Sequence, residues 1–250
     1  MRRPRELVPK PPLLLRAAFT AALLALLAAG CAPPATRAPE APAAPSAAPT
    51  APEDFPEAYY RQLAARGRPV FRVDGGRSLL VIEVHRGGSL ARVGHDHVIA
   101  SHALRGYLAT EDSRADLYFR LDELVVDEPE LRAEAKLETH PSPEDIAGTR
   151  RNMLVAFDAE RYPFAVARIA GTGASPGDAP PSVTFSLHGA TRTMDVPVEI
   201  RTVGDELTVT GRTVVKQTDF DIKPLSVLGG ALQVQDEVQL SFSVRARRVR

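Results

Sequence analysis

The run Ala115–Leu121 alternates without interruption: Ala115, Leu117, Phe119 and Leu121 fall on one face, Asp116, Tyr118 and Arg120 on the other. A period of two marks a strand, and one apolar face beside one polar face is what an antiparallel sheet with a single buried side requires. The pattern constrains the whole chain because it recurs. Phe71 with Val73, Leu79–Val84, Tyr162–Ala170, Val183–Leu187, Met194–Thr202, Glu206–Lys216 and Leu232–Ala246 all read as strands. Turn residues separate several of them: Asp74-Gly75-Gly76, Arg86-Gly87-Gly88-Ser89 and His188-Gly189. Leu90–Ala103 and Leu104–Thr110, with a bend at Gly106, fill the interval before Ala115. About eight short strands with little helix predict a single all-β domain, closed as a barrel or folded as a sandwich.

Two helices are expected. Glu53–Arg66 repeats Phe55, Tyr59 and Leu63 every four residues and stops at Gly67. Ser142–Val155 begins with a capping Ser142 and Pro143 in the first turn, and Glu144 and Asp145 sit at the positive end of its dipole. Its apolar face carries Ile146, Met153 and Leu154.

The chain ahead of this domain reads differently. Met1–Arg16 is basic, and the apolar stretch Ala17–Ala29 is too short to span a bilayer, so residues 1–30 read as an export signal. Leu27-Ala28-Ala29-Gly30-Cys31 resembles a bacterial lipobox, with its leucine one place earlier than usual. Cys31 is the sole cysteine and has no disulfide partner within the chain; lipidation gives it a role. Residues 31–52 are rich in Ala and Pro and read as a disordered tether, leaving 53–250 as the folded domain. The expected location is the cell envelope, lipid-anchored and facing the periplasm from the outer membrane. The 31 basic and 31 acidic side chains cancel, which leaves no electrostatic case for nucleic acid.

Chemistry concentrates in Gly94-His95-Asp96-His97. On one extended strand His95 and His97 would share a side, a spacing that can offer two imidazoles to a metal. A third ligand would have to come from His85, His102, His188 or a carboxylate. Polar groups bordering a ligand pocket, or a structural polar corner, are the other readings. Arg151 and Asn152, late on the second helix, either reach a ligand head group or form a solvated face. Phe119, Met153, Phe157, Phe164, Phe185 and Phe220 read as an apolar interior, hollow or filled, with Gln217 beside them. No Gly-x-Ser-x-Gly elbow, haem-type Cys pair, P-loop or Gly-x-Gly-x-x-Gly is present, so no enzyme is expected.

Several pieces in order resemble the YceI-like family. They are Phe71-Arg72-Val73-Asp74 with Ser78; Gly94-His95-Asp96-His97-Val98-Ile99; and Thr149-Arg150-Arg151-Asn152-Met153-Leu154 followed by Arg161-Tyr162-Pro163. Leu187-His188-Gly189-Ala190-Thr191-Arg192, Gln217-Thr218-Asp219-Phe220 and Gly229–Asp236 complete the set. Arg77 departs from the family pattern, which commonly has His before that Ser. The resemblance implies an antiparallel eight-stranded lipocalin-like barrel with a helix across one end. It also implies an elongated apolar cavity for an isoprenoid or fatty-acyl lipid, and no other cofactor. The expected partners are thus a lipid ligand and, through Cys31, a membrane.

Overall fold

Twelve strands pair into one antiparallel sheet among residues 50–170 and 179–250, the part of the chain that the computed structural model describes. The expected signal segment, Cys31 and nearly all of the tether lie outside the described residues, as does most of the Gly171–Pro181 loop. The chain divides into two units, Met1–Ala48 and Pro49–Arg250, and every described residue falls in the second.

The strands are β1 (Val70–Val73), β2 (Leu79–Val84), β3 (Arg86–Gly87), β4 (His97–Ser101), β5 (Arg105–Ala109), β6 (Arg114–Arg120), β7 (Val125–Val126), β8 (Phe164–Ala170), β9 (Ser182–Leu187), β10 (Ala190–Asp195), β11 (Val198–Val203), β12 (Glu206–Lys216), β13 (Ser226–Val227), β14 (Leu232–Val234) and β15 (Glu237–Arg248). The main sheet runs β10-β9-β8-β6-β5-β1-β15-β2-β4-β7, with β12 on the other side of β15 and β11 beyond β12. Strands β13, β14 and β3 form a separate small sheet.

The expected all-β, antiparallel architecture is present, but the count and the closure differ from expectation. Twelve strands replace about eight in part because Met194–Thr202, expected as one run, breaks at Val196-Pro197 into β10 and β11, and because β7 adds a short strand with no alternation of its own. Strands β1 and β2, separated at the expected turn, both pair with β15, at Ala246–Arg248 and Gln239–Ser243 respectively. No ladder closes the sheet into a ring among the described residues. Consecutive strands β10 and β11 pair in opposite directions, β10 with β9 and β11 with β12. Pro197 lies between them and has no N–H to donate to a ladder.

The histidine stretch is also not one strand. Arg86 and Gly87 leave the main sheet to pair with β14, and Leu90 N–H donates to Ala231 O at 2.7 Å. Ala91–Val93 then forms a tight turn, and the Asp96 carboxylate accepts the Arg86 N–H at 2.9 Å. Strand β4 therefore starts only at His97, and His95 precedes it.

Both faces of the sheet are covered in places. Inward residues of β1, β5, β6, β12 and β15 make one cluster with Phe71, Leu108, Ala115, Leu207 and Val244. Outside it, helix α1 (Glu57–Ala65) buries Tyr60 and Leu63 against Val70 and Ala109, and the Tyr60 hydroxyl donates to Asp116 Oδ2 at 2.7 Å. Desolvation, then the Asp116 hydrogen bond, push the Tyr60 phenol well above its usual range. Helix α2 (Pro129–Glu134) packs Leu131 on Val98 and Ala100. Helix α3 (Pro143–Ala156) starts as expected, with Ser142 accepting from Asp145 N–H and the Asp145 carboxylate accepting from Ser142 N–H. Its Met153 packs against Ile99, Leu121, Leu124 and Val126.

Candidate functional site

Strand parity builds the site. Leu80, Ile82 and Val84 of β2, Ile99 of β4, Leu117 and Phe119 of β6, Val209 and Val215 of β12, and Leu240 and Phe242 of β15 face a common space. They enclose a cavity of about 390 Å³ whose wall is overwhelmingly apolar. That size and lining fit a small-molecule pocket rather than a packing defect. Ala165, Ala167 and Ile169 of β8 complete one wall; the two alanines leave room that larger side chains would fill.

One polar group in this lining is formed by His97, Thr149 and Asn152, the last two one turn apart on α3. The His97 Nδ1 lies 2.6 Å from Asp127 Oδ2, and its Nε2 lies 3.4 Å from Thr149 Oγ1. The Asp127 side chain has no exposed surface. Its backbone takes φ +58°, a left-handed conformation that Asp tolerates better than most residues. Asp127 Oδ1 accepts from Val98 N–H at 3.1 Å and from Arg132. Burial on its own would push the Asp127 carboxyl up. Hydrogen bonds and charge from His97, then Arg132 and the Val98 N–H, outweigh it and hold the carboxyl below its usual range. Asp127 is therefore an acceptor only, and His97 Nδ1 donates to it. The remaining nitrogen, Nε2, is the one left for Thr149 and the cavity.

The other histidines of the stretch face elsewhere. His95 Nε2 is 3.7 Å from Asp145, and its Nδ1 is buried without a hydrogen-bond partner among the described residues. His85 Nδ1 is 3.6 Å from Asp96. The rings of His95 and His97 stand edge to face, 6.3 Å apart. Among the described residues no group of three or more His, Cys, Asp or Glu is placed to hold a metal ion. Each of these three imidazoles meets its own carboxylate instead.

Of the residues expected to bind ligand, His97, Phe119, Met153, Phe157, Phe185, Gln217 and Phe220 line the cavity. Three others, His95, Arg151 and Phe164, lie outside the lining. His95 does so because the stretch is not one strand. Arg151 is on the exposed face of α3. Phe164 turns outward, meeting the Tyr118 ring at 5.8 Å and the Arg120 guanidinium at 5.6 Å. Conversely, Asp127 and Arg132 carried no signal in the sequence. They come to His97 from a corner and a six-residue helix about thirty residues along the chain, with no local motif.

The YceI-like domain family matches residues 122–246, half of the chain. The Gly94–Ile99 stretch lies outside the matched span. Among solved structures, a polyisoprenoid binding domain from Saccharophagus degradans, implicated in plant cell wall breakdown, is similar with a TM-score of 0.51 at 14% identity. That likeness covers 72% of this chain and 98% of the other. BcnA of Burkholderia cenocepacia gives a TM-score of 0.45 at 19% identity, covering 69% of this chain and 98% of that one. No curated protein matches the chain. At these identities the first structure speaks for the fold and the second adds no argument. The family match over half the chain is the stronger finding: this protein belongs to the YceI-like domain family.

Proposed function

We propose that the domain is a carrier that holds one apolar chain, isoprenoid or fatty-acyl, in the cavity, and that it does so tethered in the cell envelope through a lipidated Cys31. One observation carries the binding half of this reading: the cavity of about 390 Å³ with an overwhelmingly apolar wall. Membership of the YceI-like family and the polyisoprenoid binding of the Saccharophagus degradans domain support it. The driving force is burial, roughly 0.8 kcal/mol per methylene moved from water into the wall's contact. A filled core would have no such space, and an enzyme would need a reacting constellation that the sequence motifs do not provide.

Ala167→Trp tests the carrier. The indole would occupy the cavity from β8. Affinity for a fluorescent fatty-acyl probe is expected to fall at least about tenfold. Stability in urea is expected to change by less than the roughly 1–3 kcal/mol that overpacking a filled core costs. Native mass spectrometry of wild-type protein purified from membranes is expected to show a bound lipid. A wild type that carries no lipid and binds no probe sinks the reading. The anchor is tested separately: Cys31→Ala is expected to move the protein from the membrane fraction to the soluble one. Unchanged fractionation removes the anchor and leaves the cavity reading in place.

A further inference from the structure

We infer that the end of the cavity at His97 selects a chain ending in a neutral hydroxyl, a long-chain alcohol, over the same chain ending in phosphate or carboxylate. This rests on the carrier reading and adds the chemistry of the ligand's terminus. His97 Nδ1 donates to Asp127 at 2.6 Å, so Nε2 is the ring nitrogen left to face the cavity, and in the neutral imidazole that nitrogen is an acceptor. The Thr149 hydroxyl meets that nitrogen at 3.4 Å, too long to satisfy it fully. A hydroxyl entering here donates to His97 Nε2, and its oxygen can accept from the Thr149 hydroxyl or the Asn152 amide, which share this part of the lining.

An anionic terminus finds no such match. The buried guanidinium of Arg132 is spent on Asp127, Asp96 O and Thr139. Its charge cancels that of Asp127, which sits directly behind the imidazole. A second carboxylate, Asp145, lies at the same corner, 3.7 Å from His95. The basic side chains that touch the cavity have carboxylate partners already: Lys216 is 3.8 Å from Glu237, and Arg114 is 2.8 Å from Asp116 on the strand that lines the far wall. Arg151 and Arg150 do not line the cavity; Arg150 donates to Asp122 O. A phosphate or carboxylate would enter an apolar space in front of the buried Asp127 carboxylate, where the cations that line the cavity among the described residues already have carboxylate partners, and that is costly.

Competition against a fluorescent fatty-acyl probe decides the matter, using delipidated full-length protein and three ligands that share one chain: geranylgeraniol, geranylgeranyl phosphate and geranylgeranoic acid. The alcohol is expected to displace the probe at about tenfold lower concentration than either anion. His97→Phe keeps ring bulk and removes the acceptor, and is expected to bind the chain but lose most of that preference. If the wild type takes the phosphate or the acid as well as the alcohol, the inference fails while the carrier reading stands. Preference persisting in His97→Phe equally overturns it. If no ligand and no probe bind the wild type, both readings fall together. The wild-type ranking alone upholds or overturns the inference should the variant fail to fold.

Discussion

Arg132→Met is expected to lower stability by about 3–5 kcal/mol in urea unfolding, the scale for removing one partner of a buried ion pair. Arg132 is 8% exposed and ties three segments together. Its guanidinium donates to Asp127 Oδ1, to Asp96 O at 2.7 Å, and to the Thr139 carbonyl and hydroxyl. Without it the Asp127 carboxylate stays buried with only His97 and the Val98 N–H to compensate it. Most of the loss is the cost of that stranded charge rather than the worth of the pair. The double variant Asp127→Asn/Arg132→Met removes the charge as well. It is expected to be more stable than the sum of the two single changes by at least about 1 kcal/mol, read from a double-mutant cycle. A loss below about 1 kcal/mol for Arg132→Met would show that the cluster is solvated and does not hold His97 in place.

Gly106→Val is the second large effect. Gly106 takes φ +146°, and a Cβ built there would lie 2.2 Å from Asp116 O and 2.9 Å from the Leu117 Cα. Those are backbone atoms of β6, directly across the ladder where Gly106 pairs with Leu117. Neither can move without breaking the β5–β6 register, so strain and clash add. The expected cost is about 3 kcal/mol or more, seen as loss of soluble protein or a large fall in melting temperature. Gly67→Ala is the internal comparison. Gly67 also has a positive φ, +77°, but no atom lies within 4 Å of its absent Cβ. It should cost only the backbone strain, about 1 kcal/mol. Equal effects at the two sites would show that close approach at Gly106 is not what matters.

The strands were legible because inward and outward residues alternate, and no partner is needed to see that. Glu206–Lys216 is found with the bounds read from its pattern. The breaks inside Leu90–Ala103, Met194–Thr202 and Leu232–Ala246 were not legible, because they depend on neighbours. Asp96 leaves the extended path to accept from Arg86, and Asp236 interrupts the last run by accepting the Thr218 N–H at 2.9 Å. Phe164 was misplaced by size. On β8 the small residues Ala165 and Ala167 face the cavity, so the largest side chain of the strand belongs to the opposite parity. Counting parity from Ile169 would have turned Phe164 outward. His97 was visible as a polar residue within the expected strand region Leu90–Ala103, but its orienting carboxylate was not. Asp127 is thirty positions on, at a corner fixed by Arg132, and only the fold brings the three together.

The break at Pro197 reaches beyond the cavity. Among the described residues it leaves β10 as the last strand of its path, and β12 from Arg212 to Lys216 with β15 as its only ladder. Two rows of backbone donors and acceptors thus have no described strand to meet them, the arrangement on which chains recruit one another edge to edge. Arg192 and Asp195 are exposed along the first row, Arg212 and Lys216 along the second. A second copy approaching this seam would have to bury those charges to gain its hydrogen bonds. Four charged side chains, rather than a closed ladder, are what an approaching edge would meet there.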